Sequence, residues 1–177
     1  MERWRNTIFD HISKIHMKNY EKAFRCIVGI LNRHGVKFVV SGGLAARAYG
    51  SLRQLNDIDF DIEQFGFSKI VDDVRKFIVS GPEEHKSRAF INKLLKLNYD
   101  GVSIDLAEIG GSKIFNNKTQ KWEIDTTDLS HHEVKNVLGI EVPVMARDDV
   151  IAYKIKSPRK EDIIDIEALR KTNEKSS

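Results

Sequence analysis

The chain has 177 residues, of which 41% are hydrophobic and 31% charged, and its formal net charge is +3 at pH 7. This length and composition predict one folded domain over residues 1–177 and exclude a disordered chain. The apolar runs are far shorter than the ~20 residues of a membrane-spanning helix. The polar first residues do not resemble a signal segment, and a single cysteine, Cys26, excludes an internal disulfide. We therefore expect a cytoplasmic protein without membrane contact, with Cys26 as a buried structural thiol.

Apolar periodicity divides the chain into helices and strands. Helical spacing predicts helices over 20–34, 44–49, 68–78, 148–156 and 160–170. Alternation or short valine-rich runs predict strands over 36–40, 57–63, 93–99, 102–109, 133–138 and 140–144. The breaks and caps are predicted at Gly35, Ser68, Gly81-Pro82, Asp100-Gly101, the polar stretch 110–117, Gly139 and Ser157-Pro158. The pattern predicts an α/β (α+β) fold: a small mixed sheet with helices packed on one face, a core over about 20–145 and a C-terminal helical part over about 146–171.

Three aspartates alternate with apolar residues in the predicted strand 57–63. Residues two apart in a strand point the same way, about 6.5 Å along the chain, so Asp57, Asp59 and Asp61 share one face. Their repulsion raises their pKa values unless positive charge lies among them. Divalent cations such as Mg²⁺ supply this charge, and a pair of ions can serve an in-line phosphoryl displacement. A solvated acidic face on an edge strand is the alternative that this segment alone leaves open.

A further carboxylate, Asp105, lies in the predicted strand 102–109. Strand parity places Glu108 with the apolar residues and Asp105 on the polar face. If this strand lies beside the first one, at about 4.8 Å, Asp105 can join Asp57 and Asp59. An exposed aspartate near a hairpin is the alternative.

The turn Ser41-Gly42-Gly43 follows a strand and opens a helix. Glycine lets the backbone approach a ligand closely, and the free N–H groups at a helix start suit an anion such as a triphosphate. A purely steric need for glycine in a tight turn is the alternative.

Together these segments resemble the signature of the polymerase-β-like nucleotidyltransferase superfamily. Val40-Ser41-Gly42-Gly43 is followed, after thirteen residues, by Asp57-Ile58-Asp59-Phe60. The stretch 50–56 with Arg53 and the tail over 142–162 also resemble the antibiotic nucleotidyltransferases and the AbiEii-type toxin transferases. Gly-Gly in place of Gly-Ser is similar to these branches rather than to the DNA polymerases. The resemblance implies a nucleotidyltransferase-like fold without template-directed synthesis.

The resemblance also implies an activity and a site. The enzyme would transfer a nucleoside monophosphate from an NTP such as ATP to a hydroxyl, with pyrophosphate leaving. Two Mg²⁺ ions, with Mn²⁺ as a substitute, would be bound, and Asp105 would help to activate the acceptor hydroxyl. The implied site residues are Asp57, Asp59 and Asp105 for catalysis and metal binding, and Gly42, Gly43, Arg53 and Lys154 for the nucleotide.

Several of these polar residues have an ordinary structural interpretation as well. Lys154 and Arg159 can be solvated helix charges or partners of Glu161 and Asp162. Asp61 is additional to the motif and can be a supporting or an exposed residue. The adjacent pair His131-His132 points in opposite directions in a strand and is expected on the surface, not at a metal.

The motif does not specify the acceptor, the preferred base or the oligomeric state. One hypothesis is a small hydroxylated molecule such as an aminoglycoside or a lincosamide. A second is tRNA or protein, as in the toxin-like branch. A third is a non-catalytic nucleotide-binding or regulatory module of the same fold.

Overall fold

The computed structural model describes the backbone of residues 2–174 and the side chains of residues 17–171. Within this range the helices are α1 (Glu2–Arg33), α2 (Gly42–Ala48), α3 (Gly66–Val74), α4 (Arg147–Lys156) and α5 (Lys160–Glu174), with a 3-10 turn at Arg75–Phe77. The strands are β1 (Phe38–Val40), β2 (Asp57–Ile62), β3 (Ile78–Lys86), β4 (Phe90–Tyr99), β5 (Val102–Asn116), β6 (Lys121–Ile124), β7 (His132–Val137) and β8 (Ile140–Met145).

The strands form one mixed sheet with the order β3-β4-β5-β2-β1-β8-β7, and β6 pairs with β5. The pairs β2–β5 and β1–β8 are parallel, and the other pairs are antiparallel. The predicted α/β fold with a mixed sheet and C-terminal helices is confirmed, although the sheet has more strands than the sequence pattern indicates.

The apolar face of β2 forms the centre of the core. Ile58, Phe60 and Ile62 are fully buried. Phe24 of α1 stacks on Phe60 at a ring-centroid distance of 5.6 Å, and Phe38 meets the same ring edge-on at 5.7 Å. Since successive side chains of a strand alternate between faces, the aspartates of β2 point away from this core.

The C-terminal helices border the opposite, acidic face of the sheet. Tyr153 of α4 stacks on Phe90 of β4, with 5.4 Å between centroids and 8° between planes. Val150 and Leu169 bury the inner sides of α4 and α5. This packing closes one side of the space above the aspartates.

Both predicted hairpins are confirmed. Asp100 and Gly101 have φ values of 47° and 86°, and Leu138 and Gly139 have 49° and 81°. Two consecutive positive φ values define the turn type that matches the twist of paired strands.

Three local predictions are wrong. Ser68 does not cap α3: the helix begins after Phe65, and the Ser68 hydroxyl donates to the Phe65 carbonyl at 2.7 Å. Gly81-Pro82 does not interrupt the chain but lies inside β3, at a register irregularity between Ser80 and Glu83. An edge strand tolerates proline because its outer N–H needs no partner strand.

The polar stretch 110–117 is not a connection, since β5 continues to Asn116. Gly110 and Gly111 have φ values of 88° and 87°, and the pairing of β5 with β4 shifts at this point. The glycines therefore form a bulge within a long strand. No helix in the described part of the chain has both the length and the apolar character to cross a membrane.

Candidate active site

The acidic face of β2 lies beside Asp105. In the parallel pairing of β2 with β5, Asp59 is the direct partner of Asp105, and Asp57 is the partner of Ser103. Paired strands lie about 4.8 Å apart, so the carboxylates of Asp59 and Asp105 project side by side. The two strands are neighbours, which is the condition under which Asp105 can join Asp57 and Asp59. The predicted face of each acid is confirmed, because Glu108 is buried on the apolar side.

These carboxylates line a cleft of about 530 Å³. Its walls come from the glycine turn, from the β3–β4 hairpin and from α4 with the segment that follows it. The polar lining residues are Ser41, Asp57, Asp59, Asp61, His85, Ser87, Arg88, Asn92, Lys96, Asp105, Tyr153, Lys154, Ser157, Arg159 and Asp162. Gly42 also lines the cleft, so the turn and the acidic strand share one site.

The crowding of carboxylates raises their proton affinity. Burial, and then the charges of Asp57 and Asp105, raises the pKa of Asp59 from 3.8 to about 7. Burial also raises the pKa of Asp105, with Asp57 adding to the rise and Lys96 opposing it from 3.6 Å. An acidic cluster with too little nearby positive charge has this electrostatic signature.

Asp61 belongs to the same row and also has a raised pKa. Burial, followed by the charges of Asp125 and Asp59, raises its pKa to about 8, while a hydrogen bond from the Ser41 side chain opposes the rise. Asp61 is half-buried and lines the cleft, so the alternative of a simply exposed residue is wrong.

The glycine turn lies directly against Asp59. A Cβ added to Gly42 would be 1.9 Å from Asp59 Oδ2, and the φ of Gly42 is +58°. The Gly43 backbone N–H donates to the Asp59 carboxylate, and the Ser41 N–H donates to the Asp59 carbonyl at 3.0 Å. The steric need for glycine is therefore real, and it is a need created by the acidic strand.

Arg53 does not line the cleft. Its Nε donates to both carboxylate oxygens of Asp165, at 2.9 and 3.0 Å, and its guanidinium lies beneath Gly43, where a Cβ would be 2.1 Å from Nη2. Asp165 is fully buried and also accepts from the Ser51 hydroxyl at 2.6 Å. The structure thus places the arginine behind the glycine turn, in an ion pair that the sequence pattern did not indicate.

Lys154 both lines the cleft and belongs to this buried network. Its side chain is 3% exposed, and Nζ lies 2.6 Å from Asp162 and 3.0 Å from Asp165. Burial works against ionisation of Asp162, but hydrogen bonds from Arg159 and Lys154 lower its pKa to about 2. The predicted pairing of Lys154 and Arg159 with Asp162 is confirmed, whereas a solvated Lys154 is wrong.

The donor set suits a hard cation that is completed by a ligand. Among residues 17–171, no group of three or more His, Cys, Asp or Glu side chains is arranged to enclose a metal ion. Mg²⁺ is usually held by one or two carboxylates together with water and substrate phosphates. Asp105 Oδ1 is buried without a hydrogen-bond partner, and Asp59 is protonated more readily than an ordinary aspartate. The carboxylates therefore fit a divalent cation.

The remaining predicted features lie away from the cleft. His131 and His132 are exposed, as expected, and His131 Nδ1 lies 2.6 Å from Asp149. Cys26 is a free thiol on α1 that is half-buried, and burial raises its pKa.

The residues of the site region that sequence reasoning missed include Asn92, Lys96 and Asp165. The first two are on β4, and the hairpin turn at Asp100-Gly101 carries the signal that finds Lys96, since it aligns Lys96 with Asp105. Asn92 lies on the same face of β4, four residues before Lys96. No sequence signal marks Asp165, which lies in a helix whose neighbouring residue Ile164 is exposed.

Comparisons with known proteins relate this fold to nucleotidyltransferases. No protein-family profile and no curated protein sequence matches the chain. Among solved structures, a Thermotoga maritima protein assigned as a nucleotidyltransferase is 22% identical, with a TM-score of 0.66 over 88% of this chain and 93% of that chain. The lincosamide adenylyltransferase LnuA, in complex with lincomycin, is 17% identical, with a TM-score of 0.55 over 84% and 95%.

A third similar structure is ANT(2″)-Ia in complex with adenylyl-2″-tobramycin, at 12% identity and a TM-score of 0.59 over 87% of this chain and 89% of that chain. The structural neighbours thus include antibiotic adenylyltransferases, while the AbiEii-type branch stays a prediction. At these identities the likeness establishes the fold: this chain has the nucleotidyltransferase-like fold, with its acidic cleft beside the glycine turn.

Proposed function

We propose that this protein is a metal-dependent nucleotidyltransferase that transfers a nucleoside monophosphate from an NTP to a hydroxyl of a small molecule. The observation that carries the proposal is the pairing of Asp59 with Asp105 in one cleft, with Gly42 packed against Asp59. The fold of the neighbours supports the same activity.

Asp57 and Asp59 are the proposed ligands of Mg²⁺, and Asp105 is the carboxylate that is paired with Asp59 on the neighbouring strand. Asp57 and Asp59 would hold the cations, and the cations would supply positive charge to the α-phosphate and the leaving oxygens. In this role Asp59 is held by the Gly43 N–H, which fixes the carboxylate before any ligand enters. Gly43 therefore acts through Asp59, and Gly42 provides the close backbone approach to the phosphates.

The transfer step is an in-line displacement. The acceptor oxygen forms a bond to the α-phosphorus, and the bond between that phosphorus and the bridging oxygen of pyrophosphate breaks. Asp105 accepts the proton of the hydroxyl, a role that its raised pKa favours because a more basic carboxylate takes up the proton more readily. Lys96, 3.6 Å from the Asp105 carboxylate, opposes this rise in pKa.

Two cations of the C-terminal region are the proposed contacts of the triphosphate. Lys154 of α4 and Arg159, which lies between α4 and α5, line the cleft and share Asp162 as their anchor. Arg53 supports the site from behind: its ion pair with Asp165 holds the glycine turn and one side of Lys154. We assign Arg53 a positioning role and Lys154 a binding role.

The molecules bound in the similar structures support a small acceptor. Two of the similar structures are bound to an antibiotic or its adenylylated product. Hydroxylated small molecules of this kind are the first acceptors to test.

The test is nucleotide transfer with the matched variants Asp59→Asn and Asp72→Asn. Purified protein is incubated with Mg²⁺, each α-labelled NTP and either lincomycin or tobramycin, and both pyrophosphate and labelled acceptor are measured. Asp59→Asn should lower turnover by about 10³-fold or more because the metal ligand is lost. Asp72 is an exposed aspartate of α3, and its variant should keep full activity. Transfer by Asp59→Asn near the wild-type rate refutes the metal assignment.

A further inference from the structure

One face of β4 extends the acidic site along the sheet. Phe90, Asn92, Leu94 and Lys96 alternate along this strand and all line the cleft. Leu95 points to the other face and is fully buried in the core. The β4 residues thus form a continuous wall that begins at Lys96, opposite Asp105, and ends near the tip of the β3–β4 hairpin.

Asn92 carries an unsatisfied atom in this wall. In the part of the chain whose side chains are described, two buried side-chain oxygens of the cleft lack a hydrogen-bond partner: Asn92 Oδ1 and Asp105 Oδ1. Glu108 Oε2 is different, since it lies on the apolar face and is 2.7 Å from Lys93 Nζ. A buried polar atom without a partner lowers stability, and a site of this kind is explained when a ligand supplies the partner.

The spacing of the two atoms sets the length of that ligand. Lys96 is the direct partner of Asp105, and Asn92 lies four residues before Lys96 on the same strand. Four strand residues span about 13 Å. Leu94 and Ala107 lie between the two positions and give the floor an apolar surface.

The geometry points to an elongated acceptor subsite along β4, in which Asn92 recognises a hydroxyl or amino group distant from the hydroxyl that receives the nucleotide. This inference rests on the proposed function and adds a specificity-determining residue to it: Asn92 favours acceptors that reach along β4 beyond the reacting hydroxyl. A hydroxyl can donate to Oδ1 and accept from Nδ2 of the same amide, so asparagine suits this group. The less polar faces of the rings pack on Leu94.

The experiment is a ligand-length series with the variants Asn92→Leu and Asn92→Asp. The probes are glucosamine and its linear di- and trisaccharides, titrated calorimetrically into protein with Mg²⁺ and a non-hydrolysable ATP analogue. The wild type should bind the trisaccharide more tightly than the monosaccharide. Asn92→Leu should lower trisaccharide affinity about tenfold and leave monosaccharide affinity within about twofold, since one hydrogen bond at the far end is lost. Asn92→Asp, which keeps an acceptor oxygen, should restore most of the affinity.

Thermal unfolding of the same variants separates a binding role of Asn92 from a structural one. A structural role predicts a lower melting temperature in Asn92→Leu. Asn92→Leu should melt at or above the wild-type temperature, because it removes an unpaired buried atom. Equal affinity of wild type and Asn92→Leu for the trisaccharide overturns the inference, as do the absence of any gain with ring number and a lowered melting temperature. Binding of the ATP analogue with Mg²⁺ is measured first: its absence contradicts the proposed function, whereas its presence with a failed length series contradicts the subsite alone.

Discussion

Gly42 offers a sharp test of how closely the glycine turn and the acidic strand depend on each other. Its φ is +58°, and an added Cβ would lie 1.9 Å from Asp59 Oδ2 and 2.5 Å from Asp59 Cγ. Contacts below 3.0 Å do not persist, so the Asp59 carboxylate must move by roughly 1 Å or more in Gly42→Ala. A displacement of that size in a reacting group costs about 10²-fold in rate.

Gly35 provides the matched control. Its φ is +61°, and no atom lies within 4 Å of the position of its Cβ. Alanine in this backbone conformation costs roughly 1–2 kcal/mol at either position. Gly42→Ala and Gly35→Ala should therefore lose similar stability from backbone strain, while only Gly42→Ala moves a functional carboxylate.

The assay measures three quantities for both variants: the free energy of unfolding in urea, the Mn²⁺ dissociation constant by electron paramagnetic resonance, and pyrophosphate release. Gly42→Ala should weaken Mn²⁺ binding by about 10-fold or more and lower turnover by about 10²-fold. Gly35→Ala should leave both functional quantities unchanged. Wild-type Mn²⁺ affinity in Gly42→Ala would refute the reasoning, since the displaced carboxylate is the proposed ligand.

Two further predictions concern stability. Asp165→Ala leaves Arg53 without its carboxylate partner and leaves Lys154 with only one of its two partners. The free energy of unfolding should therefore fall by about 3–5 kcal/mol. A loss below about 1 kcal/mol in urea denaturation would contradict the buried network. In the metal-free protein, the pKa values of Asp59 and Asp61 are raised to about 7 and about 8. Between about pH 4 and pH 8 the folded state therefore keeps protons that the unfolded state has released. Stability should fall as pH rises through this range. Thermal melts across this range should show the decline, by at most about 1.4 kcal/mol per pH unit for each group, and Mg²⁺ should reverse it at pH 8; a melting temperature that rises with pH in metal-free buffer would contradict the burial of these acids.

The local part of the site follows from strand parity. Alternation alone places Asp57, Asp59 and Asp61 on one face and assigns Asp105 and Glu108 to opposite faces. The Asp100-Gly101 turn contains more information than the sequence analysis used. A two-residue hairpin pairs Tyr99 with Val102, and stepping back three residues on each side places Lys96 opposite Asp105.

The long-range part of the site does not follow from any local pattern. The parallel pairing of β2 with β5 brings Asp59 beside Asp105, although β3 and β4 separate the two strands in the sequence. That pairing depends on which apolar faces pack together in the complete sheet, and a sequence window cannot contain it. The family resemblance implied that Asp105 joins Asp57 and Asp59, and the register of β2 with β5 places Asp105 directly beside Asp59.

Helix α5 shows why the buried ion network was missed. Its fully buried positions include Asp165, whereas Ile163 and Ile164 are 50% and 52% exposed. The inner face of α5 thus combines the apolar Ile166 and Leu169 with a buried carboxylate, so apolar residues alone do not mark it. The nucleotide contact that the family resemblance implies for Arg53 therefore did not anticipate its buried ion pair with Asp165.

The edge strand β3 was missed for a different reason. Gly81-Pro82 is a strong breaker signal in a sequence, but the irregular register at this point lets the chain pass through without ending the strand. The consequence is functional, because β3 and β4 together form the wall of the cleft that carries His85 and Asn92.

The most direct test of the account is the position of a divalent cation in the folded protein. Crystals soaked with Mn²⁺ and a non-hydrolysable NTP analogue, measured at a wavelength where manganese scatters anomalously, locate the ion independently of any acceptor. We predict an anomalous peak between the carboxylates of Asp57 and Asp59, next to the phosphates and the Gly42 turn. Manganese bound elsewhere, or nucleotide bound in the cleft with no ion at these two aspartates, would contradict the central claim.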